Sequence, residues 1–377
     1  MAWPDEKTGL HVLMTADAVG GVWQYALDLS EGLRPHGVKT TIAVLGPPPS
    51  ADQRAMAEAA AATLILTGLP LDWAAPSPHE AEGTGRAITR IAAHIRPDVV
   101  HLNTPALAAS AAFDVPVVAV CHSCVATWWH AVKTGPLPEE FVWRTELVKR
   151  GYDSAARLLA PTHAFAQATA QAYKLLQTPI VVRNGRRAMP VTGQRQPNEF
   201  VFAAGRLWDE GKNVAVIDRV ASRLTIPILA AGPLEGPNGT KVMVAHARAL
   251  GRLSDAEIAQ YLGAQPIFIS MARYEPFGLA VLEAAQTECA LVLSDIPTFR
   301  ELWEDAALFV DPSDEDAIAK AIEHLLDHPK ARADLGRAAR KRADAYTVEA
   351  MCAGVLNAYR SVLCQNPLRP PVEGATA

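Results

Sequence analysis

Short runs of Val, Ile and Leu recur along this chain, separated by segments whose apolar residues fall at helical spacing. In the first half the runs are Leu10 to Thr15, Thr41 to Leu45, Thr63 to Leu66, Asp98 to Leu102, Pro116 to Val120, Arg157 to Ala160 and Ile180 to Val182. They do not alternate apolar with polar, so each strand must be covered on both faces, and a parallel sheet between two helical layers does this. Val22 to Leu33, with Val22, Tyr25, Ala26, Leu29 and Leu33 on one stripe, shows what the covering helices look like. The series then restarts with Phe200 to Ala204, Ile228 to Ala231, Val242 to Ala245, Ile267 to Ile269, Leu291 to Leu293 and Ala307 to Val310. The pattern predicts an α/β protein of two doubly wound, Rossmann-like domains facing an interdomain cleft. Residues 1–188 form the first domain and 189–346 the second, followed by a helix at 347–365 and a tail at 366–377. Ala188 to Asn198, polar and broken by Pro190, Gly193 and Pro197, reads as the linker, and Pro367 to Ala377 as a frayed end.

Charge narrows the function. The net charge is -5, with 16 basic and 16 acidic residues before Ala188 and 19 and 24 after it. Neither half is basic, which argues against nucleic acid as the main partner, while a local basic patch for phosphates or a membrane surface stays open. No apolar run reaches membrane-spanning length, and MAWPDEKTGL lacks a signal-peptide core, so a cytoplasmic protein is expected. Cys121, Cys124, Cys289, Cys352 and Cys364 are an odd number scattered along a long chain, unlike a disulfide framework.

In doubly wound sheets, ligands sit beyond the carboxyl ends of the strands. The informative residues are therefore those in strand-to-helix turns. Tyr274-Glu-Pro-Phe-Gly278 follows one apolar run, and Pro276 suits the first position of a new helix. That would set Glu275 beside open amides, as a helix cap or as a carboxylate aimed at ligand hydroxyls. Gly20-Gly21 follows the first strand without dinucleotide-binding spacing, and reads as a tight turn or a close backbone approach to phosphate. Asp17 lies just upstream, as a helix-entry residue or a substrate contact. Arg206 and Lys212, in the turn after Ala204, are solvated charges or a diphosphate clamp. His122 lies between Cys121 and Cys124, where packing, proton transfer or hydroxyl binding are all compatible and redox or metal chemistry is disfavoured. His101 and His163 read as structural, and Asn184-Gly185 as a turn. Trp128, Trp129 and His130, read as part of a loop, offer a stacking surface for an acceptor or a packed lid. No Gly-x-Ser-x-Gly elbow or nucleoside-triphosphatase loop occurs, and Asp314-Glu315-Asp316, the sequence's Asp-x-Asp, reads as the acidic first turn of a helix.

Together these turns resemble those of retaining glycosyltransferases of the GT-B fold, in the large sequence family numbered four. Glu275-Pro-Phe-Gly-Leu-Ala-Val-Leu-Glu283 is similar to that family's E-x7-E signature, and Gly20-Gly21, His122 and Gly205-Arg206-Leu207 with Lys212 stand in matching order. Ser294-Asp-Ile-Pro-Thr-Phe-Arg-Glu301 is similar to the segment that follows. The resemblance implies transfer of a sugar from a nucleoside-diphosphate sugar to the hydroxyl of a glycan or small-molecule acceptor, keeping anomeric configuration, with no metal and no cofactor. It implies Arg206 and Lys212 on the diphosphate, Glu283 on the ribose hydroxyls, Glu275 and His122 on the transferred sugar, and the amides of Phe277, Gly278 and Leu279 on sugar or phosphate. Gly20 and Gly21 would close from the opposite lobe, and the final helix would cross back onto the first domain. The chain departs from the family in placing Lys212 six residues after Arg206, with Gly211 between, in having Gln286-Thr-Glu-Cys-Ala290 after the second Glu, and in the cysteines flanking His122. A non-catalytic nucleotide-sugar-binding protein, and an epimerase or phosphorolytic enzyme of the same architecture, are the alternatives.

Overall fold

The computed structural model describes residues 9–189, 199–237 and 239–365. Most of the linker read at Ala188 to Asn198, and all of the tail from Pro367, lie outside the described residues. Among the described residues, thirteen strands fall into two sheets. The first holds β1 (Leu10–Asp17), β2 (Val38–Leu45), β3 (Thr63–Leu66), β4 (Val99–Leu102), β5 (Val117–Val120), β6 (Arg157–Ala160) and β7 (Ile180–Val181) in the order β3-β2-β1-β4-β5-β6-β7. The second holds β8 (Val201–Ala204), β9 (Ile228–Ala231), β10 (Arg248–Gly251), β11 (Ile267–Ser270), β12 (Ala290–Ser294) and β13 (Leu308–Val310) in the order β10-β9-β8-β11-β12-β13. The recorded pairings between strands are parallel. Each sheet runs outward in both directions from its first strand, so strand order reverses between β1 and β4 and between β8 and β11. At such a reversal the loops diverge to opposite faces and leave room at the carboxyl ends.

The unalternating runs are explained by burial on both faces. In the second sheet Val201, Ala203, Ile267, Ile269, Ala290 and Val292 join one core with Val216, Ile217, Ile318 and Ile322. Their neighbours Phe202, Phe268, Leu291 and Leu293 join the other, with Phe299, Leu302 and Trp303. In the first sheet Leu13, Ala43, Leu45, Val100, Leu102 and Ala119 pack with Ile88 and Leu107.

By their contacts the described residues gather into two compact units. One takes the chain to Cys121, Val142–Leu159 and the stretch from Cys352; the other takes His122–Phe141 and Ala160–Met351. The final helix is Val348–Gln365. No helix among the described residues is long and apolar enough to cross a membrane.

Two local readings are corrected. Val242 to Ala245 is not a strand; the strand of that edge is Arg248–Gly251. The carboxylate of buried Asp218 accepts the amides of Ala245, His246 and Ala247 at 2.8–3.0 Å, which turns their backbone away from sheet pairing. Burial raises the Asp218 pKa, but these amides outweigh it and hold the carboxyl below the usual range. Pro276 does not open its helix either. The helix is Leu279–Gln286, and Gly278 precedes it at φ 91°, ψ 68°, a left-handed conformation that delays the first helical residue.

Candidate active site

The site is built where the second sheet reverses. The turns after β8 and β11 leave neighbouring parallel strands at their carboxyl ends, and each carries charge: Arg206 and Lys212 on one, Glu275 on the other. The two turns are joined through Gly211, whose carbonyl accepts the amides of Arg273 at 2.9 Å and Tyr274 at 3.3 Å. A Cβ at Gly211 would lie 2.9 Å from Trp128 Nε1 and 3.1 Å from Asp209 Oδ1, so a side chain there would push against the Trp128–Asp209 hydrogen bond. The extra residue between Arg206 and Lys212 is thus absorbed in a short 3-10 turn, Glu210–Lys212. Lys212 Nζ forms an ion pair with Glu275 Oε2, with both side chains largely but not wholly shielded.

Asp209 organises the rest of the turn. Its Oδ1 accepts Gly211 N at 2.9 Å and Trp128 Nε1 at 3.0 Å, and its Oδ2 accepts Arg206 Nη2 at 3.0 Å. Arg206 stays 41% exposed, so it is oriented yet open to a ligand. Lys133, paired with Glu210 at 2.5 Å, adds a second tie between this turn and the helix Val125–Val132. The Tyr274 hydroxyl donates to Ser123 Oγ at 3.2 Å, accepts Cys124 N at 3.2 Å and lies 2.8 Å from Thr127 Oγ1. Burial drives its pKa far above the usual tyrosine value, so it acts as a neutral anchor.

Beyond Glu275 the helix Leu279–Gln286 begins with no side-chain cap. Its first amides lack intrahelical partners by geometry, and the dipole there favours an anion. Phe277 is buried in the core against Tyr346, leaving its amide as the group it can offer. About one turn into the helix, Glu283 Oε1 accepts Arg186 Nε at 2.8 Å. Two cations, a carboxylate and an uncapped helix start can hold a diphosphate and hydroxyls side by side.

Family comparison agrees with this chemistry. Residues 19–185 match the model described as Glycosyltransferase Family 4, and residues 241–342 match Glycosyl transferases group 1. The chain is a family-4-type GT-B glycosyltransferase. A glycogen synthase of Mycobacterium tuberculosis is 29% identical over 74% of this chain and 73% of its own length. A phosphatidyl-myo-inositol mannosyltransferase of Mycolicibacterium smegmatis is 28% identical over 32% of each chain. Among solved structures, sucrose-phosphate synthase from Thermosynechococcus elongatus aligns at TM-score 0.76 and 16% identity over 95% of this chain and 100% of its own. The Anabaena protein HepE, crystallised in complex with UDP-glucose, aligns at TM-score 0.73 and 17% identity, over 93% and 100%.

In this glycosyltransferase the residues expected at the site fall into two groups. Arg206, Lys212, Glu275, Phe277, Gly278, Leu279 and Glu283 stand on the turns and helix just described. Trp128, Trp129 and His130 are on a helix, Val125–Val132, where a loop was expected: after Cys124, the run to Val132 carries no Gly or Pro to break it. Trp128 is tied to Asp209, Trp129 donates to Gly135 O at 3.2 Å and packs on Phe141, and His130 is exposed. His122, partly buried, lies between β5 and that helix. Asp17, Gly20 and Gly21 belong to the other unit, where Asp17 Oδ1 accepts Val19 N at 2.9 Å and Gly20 precedes the helix Gly21–Leu33. His101 is fully buried between tyrosines, and the His163 and Ala164 amides are held by Glu301 at 2.8 and 2.7 Å. Cys121 and Cys124 are buried and not joined in a disulfide.

Sequence reading did not single out Asp209, Tyr274 or Arg186. Asp209 had a signal, since an Asp two residues before a Gly in a short turn is a turn-capping pattern. Arg186 had none: nothing local marks an arginine as buried by carboxylates more than sixty residues away.

Proposed function

We propose that this glycosyltransferase moves a hexose from a nucleoside-diphosphate sugar to an acceptor hydroxyl with retention of anomeric configuration and without a metal ion. The observation that carries the reading is the Lys212–Glu275 pair, set at the sheet reversal between Arg206 and an uncapped helix start. Lys212 has three donors, so it can hold Glu275 and a phosphate oxygen together. As the bond from sugar to diphosphate breaks, charge grows on the leaving oxygen, and fixed cations stabilise it most at that moment. Glu275 then accepts hydroxyls of the sugar, and the departing phosphate takes the proton of the acceptor on the same face. Glu283 accepts the ribose hydroxyls. His122 reaches the sugar, and Asp17, Trp128, Trp129 and His130 lie on the acceptor side. The UDP-glucose held by HepE and the glycogen synthase relative favour a nucleoside-diphosphate hexose and a glycan acceptor.

The test is a panel of uridine, guanosine and adenosine diphosphate hexoses, with and without glucan and small-molecule acceptors. Products are read by proton NMR for anomeric configuration, with chelator in one arm. Retention of configuration and chelator-resistant transfer are expected from at least one donor. An inverted product, or activity abolished by chelator and restored by a divalent metal, would refute the corresponding part.

A further inference from the structure

Arg186 is the least expected charge in the second unit. It follows β7 in Asn184-Gly185-Arg186, and its side chain is only 6% exposed. Its Nε donates to Glu283 Oε1 at 2.8 Å and its Nη2 to Asp255 Oδ2 at 2.9 Å. Glu283 stands on the helix Leu279–Gln286, and Asp255 opens the helix Asp255–Gly263. The Arg186 backbone is fixed as well. Its carbonyl accepts Gln286 Nε2 at 2.7 Å, one turn beyond Glu283, and its amide donates to Tyr346 O at 3.3 Å.

Burying a guanidinium is costly unless carboxylates and carbonyls satisfy it in good geometry, so such a group has one orientation and imposes one on its partners. The Glu283 side chain keeps 17% of its surface, which leaves it reachable from outside. A carboxylate has about four acceptor sites, so contact with arginine does not exhaust it.

We propose that Arg186 is a positioning residue for the donor's ribose: it fixes the Glu283 carboxylate in one rotamer to accept vicinal hydroxyls. Asp255 steadies the far side of the guanidinium and makes the Arg186 rotamer unique. The proposal rests on the reading of Glu283 as a ribose contact and deepens it by naming what sets its geometry. Charge-assisted hydrogen bonds lost at an oriented site cost on the order of 10- to 100-fold in affinity.

The test is calorimetric. UDP, GDP and ADP are each titrated against the full chain, and the tightest binder is compared with its 2′-deoxy and 3′-deoxy analogues. Wild type is expected to prefer the ribonucleotide by roughly 10-fold or more. Glu283→Gln and Arg186→Gln should each abolish most of that preference, their effects should not add, and Arg186→Lys should restore part of it. Asp255→Asn alters a side chain more than half exposed, so it tests the same arm at little risk to folding. It should lower the preference about threefold, the smaller effect of a group acting through another. Preference lost in Glu283→Gln but intact in Arg186→Gln, or intact in Asp255→Asn should Arg186→Gln not fold, overturns the proposal and leaves the ribose reading standing. Preference intact in Glu283→Gln, or no binding of any diphosphate, overturns the ribose reading and the proposal with it.

Discussion

Each sheet reverses its strand order in the same way, yet the two put opposite kinds of polar group near that point. At β1 and β4 the first unit turns its polar groups inward. His101 Nδ1 lies 2.8 Å from Tyr359 Oη and its Nε2 lies 3.5 Å from Tyr25 Oη, with all three residues buried. Thr15, equally buried, bonds Asn103 through both its hydroxyl and its carbonyl. These groups are neutral and mutually satisfied. At β8 and β11 the second unit arranges charged pairs instead, and leaves several of them partly exposed. Neutral buried networks fix a fold, because breaking them leaves unsatisfied groups. Charged groups held in orientation but open to solvent can exchange partners with a ligand. Under the proposed function, the His101 cluster serves stability and the Lys212 cluster serves chemistry.

The sharpest way to break that assignment is Lys212→Ala. Loss of one preorganised donor at a developing charge costs about 10²–10³ in kcat. We expect that loss with a melting temperature within a few degrees of wild type, since Lys212 is not core. Steady-state kinetics and calorimetry on the same preparation decide it. Wild-type kcat would move the chemistry elsewhere.

Gly278→Ala comes next and mixes the two categories. A Cβ at φ 91° is strained, and it would meet Phe299 Cε1 at 3.2 Å and Glu275 Cγ at 3.4 Å. Backbone strain of this kind costs about 1–2 kcal/mol. The displaced helix start should also weaken diphosphate affinity, and a titration with UDP, GDP and ADP reads this second effect apart from the first. Unchanged affinity in a folded variant would show that the helix amides do not hold the ligand.

How far these distinctions were legible in the sequence depends on the range of the interaction. Double-sided burial writes itself into the central strands, so those strands and their alternation with helices were readable from the pattern of apolar runs, while the exposed edge strand Arg248–Gly251 was not. Arg206, Lys212 and Glu275 could be singled out by local spacing as residues of turns at strand ends, whereas Glu283, inside the helix Leu279–Gln286, was marked only by the family resemblance. Pro276 misled, because proline suits both a first helical turn and the bend before a left-handed Gly278. Val242 to Ala245 misled because Val242 and Val244 pack on a small core without sheet pairing, and the amides from Ala245 to Ala247 are taken by one distant carboxylate, that of Asp218. Nothing near Arg186 announces Glu283 or Asp255; only the tertiary fold brings those charges together.

The His101 cluster predicts a pH effect. Burial, opposed by a hydrogen bond to the Asn103 side chain, lowers the His101 pKa from 6.5 to about 4. Its folded value is below its unfolded value, so the unfolded chain takes up the proton first. Stability is therefore full above pH 6.5 and is lost as pH falls from 6.5 toward 4. Between pH 7 and pH 5 the loss is about 2 kcal/mol. Denaturant titrations at the two pH values should show a correspondingly smaller difference in His101→Gln, whatever the change in absolute stability. An identical pH dependence in the variant would remove His101 as its source.

The smallest effect expected is that of Tyr359→Phe, and it tests the comparison from the structural side. The ring and its edge contact with His101 at 5.8 Å between centroids are retained, so no cavity opens. What is lost is one hydrogen bond to His101 Nδ1, and a buried neutral bond contributes about 1 kcal/mol. Because Tyr359 stands on the helix Val348–Gln365, the change also loosens one tie between that helix and β4. Denaturant midpoints should fall by that small amount while kcat and donor KM stay at wild-type values. A kcat loss comparable to that of Lys212→Ala would mean that the buried network transmits its geometry to the reaction, and the division between a stabilising and a chemical region would fail.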